Sequence, residues 1–448
     1  MSSTDSARPR RRWPRIVLRG SALTLLLALV LVALAPWLLS FEPVQQLALR
    51  AALPGMRGRI SLGDAHFGWW TPLRVDDLLV RDPEAQPLVE VGSIGTDRTL
   101  WQLLTHPRDW GDIRIDTPEI NIIATETTNN FAATFPKLHD QLHRPTPGEH
   151  AGWKDRRMHV AIHDATVQWR VSNSSRSWSV DRVPFSFGIE PADPPKTQSA
   201  SIVIDHALVF DRREASPGLC NDLLKYAAPV LANVTTAQGK VSLEFDGGRL
   251  PADDLRAGDL AGRLTLHTVE IGPGALVRTV ANFLHLPEHV TLAHDSVVEF
   301  KMTGGRVHHE GLEFGIETVR VRTSGSVGFD QTLDLLAEVR LQLSDTLIAN
   351  RPILKALDQN VLRFPIKGTL SKPAIDAAGI GRTALDLLAA AVRNAREGRD
   401  APDPPTEEQI QQLRDAGVLV PNDTSPETVA PPKSTGQQAA EIAVDVIQ

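Results

Sequence analysis

Apolar and polar residues alternate in short runs along most of the chain, at 73–80, 88–94, 113–123, 241–245, 260–266, 319–329 and 335–343. Successive side chains of a strand point to opposite faces, so each run predicts a strand with one apolar and one polar side. Helical spacing is scarce. It predicts a short turn of helix at 99–104, helix broken by Pro136 within 129–142, two pieces separated at Pro229 within 216–233, a helix over 274–286 and another over 382–397. The fold class expected is mainly β, an antiparallel sheet with a few short capping helices.

One pattern recurs with a slip of phase. Ile60 and Leu62 alternate, the phase shifts at Asp64–Ala65, and alternation resumes at Phe67; Val160 and Ile162, a shift at Asp164–Ala165, then Val167 repeat the form. Ile202 and Ile204, a shift at Asp205–His206, then Val209 make a third copy, and 290–297 is a weaker fourth. A shift by one residue would move every following side chain to the other face unless a bulge or tight turn absorbs it. Each copy therefore predicts such a device, and the start of a new layer of sheet. The residues expected to line an apolar trough or a core are Ile60, Leu62, Phe67, Val160, Ile162, Val167, Ile202, Ile204, Val209, Leu264, Leu266, Val327 and Phe329.

A different pattern occupies the beginning of the sequence. From Gly20 to Phe41 no charged residue interrupts a run of 22 positions, long enough at about 1.5 Å per residue to cross a hydrocarbon layer. Arg8, Arg10, Arg11, Arg12, Arg15 and Arg19 precede it against one acid, Asp5, which predicts a cytoplasmic amino terminus and export of the remainder of the chain. Ala33-Leu34-Ala35 has the form of a signal-peptide cleavage site, but Pro36 comes next and the apolar run continues, favouring a retained anchor. The basic cluster is expected to meet anionic head groups. The organisation expected is a basic segment 1–19, a transmembrane helix 20–41, β modules at 42–150 and 151–380, a helix at 381–397 and a mostly disordered tail at 398–448.

Composition narrows the chemistry. A formal net charge of -7, more negative once the arginine cluster is set aside, argues against a nucleic-acid partner. The single cysteine, Cys220, predicts a buried thiol and no internal disulfide. His159 and His163 lie on one side of a strand pattern, His285, His289 and His294 bracket Pro287, and His308 and His309 point oppositely if extended; none forms a convergent metal set in sequence. Asp64, Asp164 and Asp205 recur at the phase slips, where turn chemistry accounts for them. No phosphate loop, nucleophile elbow or HExxH motif is present, so catalytic, cofactor and metal residues are all expected to be none. Trp69, Trp70, Trp101 and Trp110 cluster early; core packing is the first expectation for them, seating at a membrane interface the second.

The alternating strands have more apolar face than so few helices can cover. They must pack on another sheet or curve round a groove that takes apolar ligands, where each buried CH₂ contributes roughly 0.8 kcal/mol.

Residues 58–82, with 87–91 and 100–104, resemble the amino-terminal region of AsmA-like proteins, the group that includes TamB, and 364–376 resemble its closing segment. The resemblance extends over about residues 16 to 396. It implies a single-pass inner-membrane protein of a two-membrane bacterium, with a curved, taco-like β groove in the periplasm. It further implies a non-enzymatic part in envelope biogenesis, with membrane phospholipids as partners in lipid transport. The alternative is a scaffold assisting envelope or outer-membrane assembly proteins.

Overall fold

A computed structural model describes residues 41–53, 55–125, 128–143, 154–172, 174, 177–192, 199–284, 290–292, 296–316, 319–341, 360–376 and 417–421, with isolated positions at 34–37 and 408–415. These fall into two compact units, one drawn from Met1–Arg213 and Leu243–Gly262, the other from Glu214–Ser242 and Arg263–Gln448. Among the described residues no helix is long and apolar enough to cross a membrane. Most of the stretch 20–41, the helix at 382–397, His285, His289 and His294, and nearly all of the tail lie outside the described residues.

In the first unit, helix α1 (Glu42–Ala52) leads into β1 (Arg59–Ser61), β2 (Ala65–His66), β3 (Pro72–Arg81), β4 (Pro87–Thr99), β5 (Asp109–Ala124), β6 (Arg157–Val171), β7 (Ser177–Glu190), β8 (Ser201–Ile204), β9 (Ala207–Glu214) and β10 (Ala237–Pro251), whose residues from Leu243 onward belong here. Short helices α2 (Leu100–Thr105), α3 (Asn130–Thr134) and α4 (Pro136–His143) interrupt them. Thr99 and Gln102 close α2 with a reciprocal capping box, and Asn129 caps α3. Pro136 splits α3 from α4 as expected, because it cannot continue the ladder of the preceding helix. β1 and β2 both pair with β3, which pairs with β4, and β4 with β5, all antiparallel. The slip at Asp64–Ala65 therefore starts no new layer; both halves stay in one sheet, joined where Asp64 O accepts Asp76 N at 2.9 Å.

The sheet is also not antiparallel throughout. β5 and β6 run parallel from Asp109↔Arg157 to Ala124↔Val171. The chain between them, which carries α3 and α4, is long enough to return to the starting end, as a parallel pair requires. β6–β7, β7–β8 and β8–β10 revert to antiparallel pairing, so the sheet is mixed, open and curved.

The phase slips form a bulge line of left-handed residues, at which the register shifts between β6 and β7 and is kept between β3 and β4 and between β4 and β5. Asp77, Thr117, Asp164 and Arg182 have φ of 55, 49, 54 and 54°, in β3, β5, β6 and β7. The gaps in pairing fall side by side, between Asp76↔Ser93 and Leu78↔Val91, between Ser93↔Asp116 and Val91↔Pro118, and between Ile162↔Phe185 and Ala165↔Val183. β4 crosses this line with Gly92, where a Cβ would stand 2.5 Å from Thr117 Oγ1. Left-handed backbone costs a non-glycine residue roughly 1–2 kcal/mol. Without it, half of each strand would turn its apolar side chains to the opposite face. The bulges keep one apolar face continuous from end to end of every strand and bend the sheet along their line.

The second unit is antiparallel. β11 (Asp259–Ile271) pairs with β12 (Val290–Leu292), and β13 (Ser296–Thr303), β14 (Arg306–Ile316), β15 (Val319–Gly328), β16 (Thr332–Leu341) and β17 (Asn360–Thr369) come next in sequence. β18 (Lys372–Ile375) and β19 (Leu419–Pro421) both pair with β17. Helix α5 (Pro217–Asp222), two 3-10 turns at Leu224–Tyr226 and Pro229–Leu231, and helix α6 (Ala275–Leu284) complete it. Within the tail, Val418 and Leu419 are buried and add a strand, because β17 offers an open edge at Asn360–Leu362.

Candidate functional site: the open apolar face of the first sheet

Registers place one apolar residue opposite another across the first sheet. One row runs Thr96, Ile113, Val160, Phe187, Ile204; the next runs Ile94, Ile115, Ile162, Phe185; beyond the bulge line Val89, Ile120, Val167 and Val180 continue it. Val91, Val160, Val183, Ile189 and Ile204 are buried, but Val75, Ile94, Ile113, Ile115, Ile120, Ile162, Val167, Phe185, Phe187 and Ile202 all keep partial exposure. Each partly open Ile or Phe leaves on the order of 1 kcal/mol of burial unrealised. Such a row is a surface that an apolar ligand can complete.

The second unit treats the same kind of face differently. Val321, Val327, Val339, Leu362, Phe364 and Ile366 are each at most 1% exposed, as are Leu276, Val277, Val280 and Ala281 of α6. Phe283 meets Phe364 edge-on at 5.1 Å, Thr279 Oγ1 donates to Pro373 O at 3.2 Å, and Asn233 Nδ2 donates to Leu370 O at 2.9 Å. Helix and turns are stitched onto the sheet, and its apolar side is a packed core. Cys220 is buried there as expected, and burial pushes its thiol up to about 12.

The expected lining residues divide accordingly. Ile162, Val167 and Ile202 lie half-buried on the open face, with Val160 and Ile204 buried beside them. Ile60 belongs to a cluster with Val80 and Leu88, against which Leu49 of α1, Leu62 and Phe131 pack; it is core. Phe67 and Val209 are half-buried, on the loop after β2 and on β9. Leu264, Leu266 and Val327 are fully buried in the second unit, so they are core and not trough. Phe329 falls just beyond β15, 38% exposed and edge-on to Tyr226 at 5.8 Å. Sequence reasoning missed β7, whose Phe185 and Phe187 stand at the middle of the open face. Its signal was present: Val180, a slip at Arg182, then Val183, Phe185 and Phe187 repeat the bulged pattern around Pro184.

The opposite face of the first sheet is polar. Asp205 of the β8–β9 break accepts Ser186 Oγ at 2.7 Å and bonds His159 Nε2 at 2.9 Å; these two contacts hold its carboxyl below the usual range. Cross-strand partners, not backbone amides, thus account for Asp205. Asp112 Oδ1 is 3.6 Å from His159 Nδ1, and two hollows of about 640 and 760 Å³ meet at Asp112 and His159. Ser186 and His159 both bond the same carboxylate, so the serine hydroxyl is not aligned on the imidazole as a nucleophile and its base would be.

The tryptophans part company. Trp70 and Trp101 are 78% and 50% exposed with ring centroids 6.0 Å apart, and Leu104 beside them is 65% exposed, which overturns core packing for this pair. Trp69 and Trp110 are half-buried, Trp110 with Arg156 over its ring at 4.3 Å. The exposed pair sits at the Pro72↔Thr99 end of the β3–β4 ladder, whereas α1 packs near the Arg81↔Pro87 end, roughly 30 Å away along the strand.

No model of a known protein family matches the chain, and no curated protein matches it.

Proposed function

We propose that the chain is a single-pass, membrane-anchored envelope protein that acts without catalysis, its first sheet forming a groove that shields phospholipid acyl chains in the periplasm. The observation that carries this reading is the run of partly exposed Ile, Val and Phe side chains kept on one face by the bulge line. Strands β3 to β8 at about 4.8 Å spacing make this strip roughly 24 Å wide, more than the ~15 Å that an acyl chain occupies in half of a 30 Å hydrocarbon core. Each methylene moved from water to the strip contributes roughly 0.8 kcal/mol, while the polar reverse face stays hydrated. The uncharged stretch 20–41 and its arginine flank support an inner-membrane anchor with the bulk of the chain exported. The AsmA-like resemblance of 58–82 and 364–376 supports the same reading.

The full chain, purified in detergent without added lipid, is expected to carry phospholipid detectable by mass spectrometry. Ile162→Asp and Phe187→Asp are expected to strip it while leaving the circular dichroism spectrum intact. A lipid-free wild type, or lipid retained equally by both variants, overturns the reading. A second reading, a scaffold for envelope or outer-membrane assembly proteins, draws on the exposed Trp70, Trp101 and Leu104 group, a compact apolar patch of the kind that interfaces bury. Trp70→Ala with Trp101→Ala would then abolish partner capture and spare lipid content.

A further inference from the structure

One side chain and a pair some 40 positions further along the sequence converge in the first unit, where neither motif nor spacing announced them. His206 stands in the break between β8 and β9, and Glu244 and Asp246 alternate on β10, so both carboxylates project to one side of that strand. His206 Nε2 is 2.7 Å from Glu244 Oε1, and the ligating atoms of all three residues lie within 4.8 Å of one another. We propose that His206, Glu244 and Asp246 form a binding site for a divalent transition cation of the zinc class.

The donor set fits that chemistry. One imidazole and two carboxylates supply nitrogen and oxygen to a borderline cation and bring two negative charges to meet its two positive ones. Tetrahedral ligands at 2.0–2.2 Å from zinc stand roughly 3.3–3.6 Å apart, so closing the present triangle takes side-chain rotation of about an ångström and no movement of backbone. His206 and Asp246 are exposed and Glu244 is half-buried, which leaves an open position for water and a route for the ion. On binding, the hydrogen bond from His206 Nε2 to Glu244 Oε1 is given up: the ring keeps its proton on Nδ1, a proton on Nε2 passes to water, and the Nε2 lone pair and the Glu244 carboxylate both turn to the cation. The scaffold is stiff, since Gly248↔Ile204 fixes β10 against β8 only two residues from two of the ligands. A bound ion would staple the β8–β9 break to β10, holding the curved sheet at the place where its ladder is interrupted. This site lies on polar side chains distinct from the apolar strip, and its test does not depend on lipid.

The test uses the tag-free full chain in detergent, stripped with chelator and titrated calorimetrically with zinc chloride, with cobalt chloride as a visible-absorption probe. One saturable equivalent per chain is expected, together with a rise in melting temperature. His206→Ala and Asp246→Asn should each weaken binding by roughly tenfold or more, the scale on which even outer partners of a metal matter. These side chains are largely solvent-exposed, and circular dichroism checks that the variants fold. His159→Ala, which removes the neighbouring imidazole, should leave the stoichiometry at one. Absence of a saturable equivalent, or one that survives both His206→Ala and Asp246→Asn, overturns the proposal.

Discussion

Two units built from the same kind of alternating strand end in opposite states. In the second unit, α6 and the turns at 224–231 seal the apolar side until Phe364, Ile366 and Val321 have no measurable exposure. In the first, the described helices sit at the margins: α1 and α3 cover the Ile60–Val80–Leu88 cluster, and Ile115, Ile162, Phe185 and Phe187 remain partly open. The difference teaches that an alternating strand specifies a greasy face without specifying its cover. What decides is whether the chain supplies an amphipathic helix that docks on the strands themselves, as Ala275–Leu284 does for the second unit.

The contrast can be broken most forcefully by truncation. Phe364→Ala should cost about 3–5 kcal/mol, since it opens a cavity in a closed core, whereas Phe187→Ala should cost only about 1–2 kcal/mol because its ring is already partly solvated. Hydrogen exchange resolved by segment would read both, and equal costs would erase the distinction. Inserting one alanine between Asp164 and Ala165 should come next, at roughly 3–4 kcal/mol, by turning Ala165, Val167 and Trp169 to the polar side. An insertion tolerated without loss would mean that the bulge line does not keep the face continuous.

His309 sharpens the comparison from the other side. It is 1% exposed, its Nε2 is 3.3 Å from Thr323 Oγ1, and its Nδ1 has no hydrogen-bond partner. Burial, joined by the neighbouring His308 imidazole, lowers it from 6.5 to about 4. The unfolded chain therefore binds this proton first as the medium is acidified. Stability of the second unit should be full above about pH 6.5 and fall by up to ~3 kcal/mol as pH drops to about 4, with little further loss from this group below that. Urea melts at pH 7 and pH 5 on wild type and His309→Gln measure it; the same slope in the variant would remove His309 as the cause. The smallest effect is expected at Asp205→Asn. Its contacts with Ser186 and His159 are only partly buried, so less than about 1 kcal/mol should be lost from the first unit.

Much of this was legible in the residues. Alternation located β3, β4, β5, β15 and β16, and the slip at Asp164–Ala165 announced a bulge that the backbone makes with φ of 54°. The parallel β5–β6 pair was not legible, because strand direction depends on the path of the crossover and not on the strands' own pattern. The cover on Leu264, Leu266 and Val327 was likewise hidden, since burial at those positions depends on α6 and the 217–231 segment docking from elsewhere in the chain. His206, Glu244 and Asp246 escaped because residues 38 and 40 positions apart meet only once β8 and β10 are adjacent.

The central claim is that the first unit's apolar face takes acyl chains while the second unit's does not. A photoreactive amino acid placed singly at Ile162, Phe187, Val321 or Leu335 of the full chain in its native membrane tests this directly. Phospholipid adducts at the first two positions and none at the last two are the expected result. Adducts absent from Ile162 and Phe187, or equally abundant at all four, would contradict it.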